Sequence, residues 1–164
     1  MLTQDDVAKM AKEERLTRLA AAATTLTSTI AGHGDGVLAR RPDAKNWAPK
    51  EVVCHLRDTE ELFMLRFQEM IAMEEPKLLS GADADRWAEE RQYLRNDTVL
   101  ALGAFRKRRE ESLTLLKGLT DAQWQRGGVH AVRGRITIND FLNLMVWHDD
   151  NHLEQIRRGL RGEA

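Results

Sequence analysis

The chain has 164 residues, 42% of them hydrophobic, enough for one packed domain with a real core and too short for two comfortable ones. Its 25 basic and 26 acidic residues are interspersed and leave a formal charge of -1, so no global field draws in nucleic acid or an anionic membrane surface. A single cysteine, Cys54, excludes an internal disulfide and any multi-cysteine metal cluster and agrees with a reducing compartment. The first residues form no basic-then-apolar leader, and no window approaches the ~20 uninterrupted apolar residues of a membrane span. The expectation is a cytoplasmic protein with a small-molecule substrate and with neither nucleic acid nor membrane as a partner.

Three prolines and few alternating β-branched runs predict an all-α chain. Thr3, followed three residues later by Asp6, has the pattern of a capping box and opens a first helix. Its stripe Leu16, Leu19, Ala23, Leu26 and Ile30 steps by three and four until Gly32-His33-Gly34-Asp35-Gly36 ends it. Pro49 suits the first turn of a second helix, with Val52, Leu56, Phe63, Phe67 and Met70 as its core face, closing near Met73 before Glu74-Glu75-Pro76. A shorter helical piece spans the region from Asp83 to Tyr93. Asn96-Asp97-Thr98 then caps a third long helix that carries Leu102, Phe105, Leu113 and Leu116 to Gly118. Thr120 with Gln123 caps a brief turn, and Gln125 to Arg135, with its glycines, reads as an irregular loop. Thr137 with Asp140 opens the final helix, which runs to the region of Gly159. Four long amphipathic helices pack most simply as a four-helix bundle of the up-down type with a long loop before the last helix, any site being built from inward-facing side chains.

Within the last helix, Phe141, Met145, His148, His152 and Ile156 share one stripe, which places two imidazoles four residues apart on the inner face. Each buried ring has two nitrogens to satisfy, and two charged rings stacked there would repel, so a shared cation would hold both neutral. Hydrogen-bonded core histidines are the plainer reading of such a pair. His55, next to Leu56 on the second helix, is by itself either a satisfied core histidine or a third ligand. Three imidazoles from two helices would leave one coordination position open. Glu51, Asp149, Asp150 and Gln155 are candidate acceptors for the second ring nitrogens.

At these residues the sequence resembles the DinB/YfiT-like superfamily of metal-binding four-helix-bundle proteins. Trp47, Pro49, Glu51-Val52-Val53, His55-Leu56 and Arg66 resemble the second-helix segment. Trp124, Arg126, Gly128, His130, Gly134 and Thr137 resemble the approach to the last helix, and His148-Asp149 with His152-Leu153 and Gln155-Ile156 the closing motif. The resemblance implies His55, His148 and His152 as ligands of one divalent cation, zinc or nickel. It also implies a frequent homodimer, and an activity of metal-dependent hydrolase or of transferase using a low-molecular-weight thiol as co-substrate. A noncatalytic metal- or ligand-binding stress protein is the competing class.

A three-histidine site with a divalent ion suits either water or thiolate activation. Asp149 takes the place of the glutamate in His-Glu-x-x-His metalloproteases but is one carbon shorter and turned about 100° from His148, which argues for a supporting or surface role. Arg66 lies three turns beyond His55 on nearly the same face; it either enters the same cavity, or snorkels to the bundle end, or pairs with a carboxylate such as Glu60 or Glu69. His130 either covers the site or lies on an exposed loop. Arg106-Lys107-Arg108-Arg109, followed by Glu110-Glu111, reads as a solvated face with local ion pairs. Cys54 reads as a buried structural thiol.

Overall fold

Val7 and Leu16 lie nine residues apart, so on one unbroken helix they would face opposite ways. In the computed structural model, which describes residues 2–78 and 83–164, both turn toward one core because the chain breaks between them. Helix α1 (Gln4–Ala8) carries the Thr3–Asp6 capping box, and α2 (Lys12–Ile30) starts anew after the extended Ala11. The single first helix expected from the stripe is therefore two. Helix α1 packs on the last helix, where the Leu2 N–H also donates to Asp150 Oδ2 at 3.0 Å.

After one helical turn, α3 (Asp35–Leu38), comes α4 (Pro49–Ala72), with Pro49 at its first position. Then follow α5 (Ala84–Glu90), a 3₁₀ turn (Tyr93–Arg95), α6 (Thr98–Lys117) and α7 (Asp121–Trp124). Strands β1 (Gly127–His130) and β2 (Gly134–Thr137) form an antiparallel hairpin, and α8 (Ile138–Arg161) ends the fold behind the Thr137–Asp140 capping box. None of the helices among the described residues is long and apolar enough to cross a membrane.

The hairpin replaces the irregular loop expected over Gln125 to Arg135. Gly127 and Gly128 carry no side chains, so the two-residue alternation that marks a strand is missing from the sequence. The structure needs Gly128 because an added Cβ would meet Leu78 Cδ2 at 2.7 Å and the Pro76 carbonyl oxygen at 2.9 Å. That close approach lets the Val129 N–H donate to the Pro76 carbonyl at 2.8 Å and the Leu78 N–H to the Val129 carbonyl at 3.1 Å.

The four-helix bundle that the stripes predict is formed by α2, α4, α6 and α8. Both α2 and α4 pack mainly against α6 and α8, so the first two long helices sit diagonally. Contacts of His55 with His148 and of Phe67 with Phe141 make α4 and α8 antiparallel. Arg57 meets Asn96 just ahead of α6, and Glu60, further along α4, meets Arg109 within it, so α4 and α6 run parallel. The directions therefore run up, down, down, up, and the chain between Ala72 and Thr98 returns along the bundle. Two apolar clusters fill the interior, one around Phe63, Phe67, Phe141 and Met145, the other around Val52, Leu56, Phe105 and Ile156. Between them along every long helix but α2 lies a polar layer: Asp58 and Glu60, Arg109 and Ser112, His148 to His152.

Candidate metal centre

Helix α4 supplies His55 to this layer, and α8 supplies His148 and His152 from successive turns. One ring nitrogen of each lies within 4.8 Å of the other two. The ring centroids are 5.1 Å apart for His55 and His148, 4.7 Å for His55 and His152, and 4.3 Å for His148 and His152. His55 Nε2 and His148 Nε2 face each other at 3.1 Å, and Thr59 Oγ1 stands 3.4 Å from His55 Nε2. The sequence-predicted trio is thus brought together from positions 93 residues apart in the chain.

Burial, and then the neighbouring rings, disfavour a proton here. The His55 pKa is pushed down to about 2, first by desolvation and then by His148 and His152, and that of His152 to about 3, by desolvation and His148. Neutral imidazoles are the form that ligates metals. His152 Nδ1 lies 2.8 Å from Gln155 Oε1, so its proton belongs on Nδ1 and Nε2 keeps a lone pair. Gln155 therefore fills the supporting role foreseen for it.

Glu51 does not. Its carboxylate accepts from Arg41 Nε at 2.7 Å and from the Ala48 N–H at 2.9 Å, fastening the start of α4 rather than orienting His55. Asp150 likewise turns away, toward the Leu2 N–H. Asp149 is buried, with Oδ1 3.9 Å from His148 Nδ1 and both oxygens on Arg109. Arg109 corrects the reading of its basic run as a solvated face, because it is only 2% exposed and bonds Glu60 and Asp149 together. Burial works against its charge, and the two carboxylates more than offset that, raising its pKa. The signal was present: Arg109 falls in step with Leu102, Phe105, Leu113 and Leu116 on the apolar stripe of α6.

A cavity of about 380 Å³ opens beside His55 and His148, walled by Leu62, Phe63, Trp87 and Leu144. Arg66 and His130 both line it, and Arg66 also has Glu69 as a nearby charge that favours its own. The Trp47 ring flanks His55, centroids 5.1 Å apart, and its indole N–H donates to Asp85 Oδ1 at 3.0 Å. Trp124 is core. Cys54 is buried, and burial pushes its thiol up to about 11, so it is a packing residue and not a nucleophile.

A four-helix bundle with a three-imidazole cluster opening on a cavity defines a class of helical protein fit to hold a metal ion. The chain belongs to the DinB superfamily, whose model matches residues 17–156. Bacillus subtilis YfiT, provisionally named a metal-dependent hydrolase, is 30% identical over 111 residues, 67% of this chain and 62% of that relative. The chain thus spans less than two thirds of that relative's length. Oceanobacillus iheyensis OB0413, provisionally named in the same way, is 23% identical over 85% of this chain and 79% of its own. The solved structure of Bacillus subtilis YfiT superposes with a TM-score of 0.86 at 25% identity, over 95% of this chain and 92% of that one. It is described as a probable metal-dependent hydrolase with an unusual four-helix bundle topology.

Proposed function

We propose that His55, His148 and His152 hold one divalent metal ion, zinc or nickel, and that the protein is a metal-dependent hydrolase acting on a small molecule in the adjoining cavity. The observation that carries this reading is the convergence of three imidazoles from two helices, those of His55 and His152 held neutral by burial, at the edge of an apolar-walled cavity. Three histidines leave a coordination position for a reactant. A divalent ion held this way supplies Lewis acidity, polarising a carbonyl and acidifying water at the site.

The remaining work falls to the chain. Burial keeps His55 and His152 neutral, Gln155 fixes the tautomer of His152, and the Arg109–Asp149 pair holds the turn of α8 that carries His148. Leu62, Phe63 and Trp87 exclude bulk water from one side of the cluster. The names of the DinB relatives support hydrolysis; transfer to a low-molecular-weight thiol uses the same open position and is the reading that the assay must separate. Homodimerisation belongs to this proposal too, and sedimentation equilibrium reads it.

The test starts with metal analysis of protein purified without a histidine tag. One metal per chain, lost in His148→Ala and His55→Ala, is expected; no uptake after reconstitution with zinc or nickel overturns the site. The loaded protein is then assayed on ester, amide and electrophile panels, with and without bacillithiol, mycothiol, glutathione or cysteine. Turnover in water alone supports the hydrolase, turnover only with a thiol replaces it with a transferase, and none under either condition leaves a binding protein.

A further inference from the structure

We infer that the cavity beside the histidine cluster is shaped for an elongated small molecule with an apolar body and a terminal carboxylate, the carboxylate held by Arg66, His130 and Arg133. The inference deepens the proposed function, since it places the reactive end of that molecule at His55 and His148.

The cavity lining is segregated along its length. Residues His55, Thr59, Leu62, Phe63 and Arg66 follow one face of α4 for three turns, about 16 Å by helix rise. Helix α8 runs the other way, so His148 stands at the His55 end, Leu144 lies one turn nearer Arg66, and Phe141 lies under the Arg66 guanidinium at 5.4 Å. The middle of the slot is apolar. Its far end gathers Arg66 with His130 and Arg133 of the hairpin, and no carboxylate is among the described residues that line the cavity. A volume near 380 Å³ falls in the range of small-ligand sites.

The cationic end is built, not incidental. Arg66 is only 4% exposed and its guanidinium is seated over the Phe141 ring where it lines the cavity, so packing fixes the place at which an anion can meet it as a further neighbour. His130 Nδ1 accepts the N–H groups of Val132 at 3.2 Å and Arg133 at 3.3 Å, which puts the proton of the neutral ring on Nε2 as a fixed donor. Its ring centroid lies 6.5 Å from that of Phe141, the same plate that seats Arg66. The planar guanidinium fork matches a carboxylate, and a single buried arginine suits a single negative charge.

The experiment uses zinc-loaded full-length protein and two series of alkyl hydroxamates of graded chain length, one ending in a carboxylate and the other in a carboxamide. The hydroxamate head anchors both series at the metal. At the best length the acid is expected to bind at least tenfold more tightly by calorimetry, with the advantage gone in Arg66→Gln, partly kept in Arg66→Lys and reduced a few fold in Arg133→Gln. The last variant sits on an exposed turn and keeps the test informative if Arg66→Gln does not fold. Equal binding of acid and amide at every length overturns the inference while leaving the metal site intact. Failure of the metal reading looks different, with no zinc taken up. Octanoate against octanamide on the protein as purified then decides the anionic end alone: a preference for octanoate, lost in the Arg66 and Arg133 variants, supports it, and parity overturns it.

Discussion

Arg109 donates from Nη2 to Glu60 Oε2 at 2.7 Å and to Asp149 Oδ1 at 3.2 Å, so one buried guanidinium ties α6 to both helices that carry the histidines. Its Nη1 also reaches the Leu19 carbonyl at 3.0 Å, which brings α2 into the same knot. All four long helices therefore meet at one side chain in the polar layer.

Replacing Arg109 with methionine keeps the volume but leaves two carboxylates buried without a counter-charge. The expected loss is about 3–5 kcal/mol, the usual cost of breaking a buried ion pair from one side. Urea unfolding of Arg109→Met at neutral pH measures it. A loss below about 1 kcal/mol would mean that the carboxylates reach solvent.

Asp149→Asn keeps the shape beside His148 and removes the charge. If Asp149 steadies the ring through its Nδ1 side, metal affinity is expected to fall about 10- to 100-fold, as for other groups one shell out from a metal. Competition with a chelator of known affinity reads the change. Unaltered affinity together with reduced stability would assign Asp149 to Arg109 alone.

Metal-free protein should weaken as the solution is acidified. The folded-state pKa values of His55 and His152 lie far below the ordinary histidine value of 6.5, so the unfolded chain takes up protons that the folded chain refuses. Their contribution is fully present above pH 6.5 and is lost as the pH falls from there toward about 3 for His152 and about 2 for His55. By about pH 5 the loss is on the order of 2 kcal/mol for each ring. Denaturant midpoints of chelator-treated protein at several pH values test this; a flat profile would show that the rings protonate freely in the fold.

Much of this arrangement is legible in the residues themselves. The stripes give four long helices because burial repeats every three or four positions, and the capping pairs at Thr3, Thr120 and Thr137 mark starts that the structure keeps. The histidines stand out because a polar ring on an apolar stripe needs a partner. Arg109 obeys the same logic, and a charge run read as a block conceals it. The parallel course of α4 and α6 is not local: it depends on where the chain between Ala72 and Thr98 travels, and no spacing encodes that. The pairing of Pro76 and Leu78 with Val129 joins segments far apart in the chain and leaves no pattern in either.

Gly128→Ala should destabilise the hairpin. The added methyl meets a backbone carbonyl as well as a leucine side chain, and the carbonyl cannot step aside without breaking the pairing with Val129. A loss of about 1–3 kcal/mol is expected, as for overpacking elsewhere. Hydrogen exchange should show it first at the Val129 and Leu78 amides; unchanged protection there would mean that the strand shifts to make room.

At the other end of α8, a Cβ on Gly159 would stand 3.2 Å from the ring carbons of Pro49. This bare spot on one helix lets the first turn of the other rest directly against it, six residues before His55 and seven after His152. The two helices that carry the imidazoles are thus in close contact at a point where a methyl group is missing. A larger residue at position 159 would act as a wedge, widening the gap between opposing rings while leaving every one of them in the sequence.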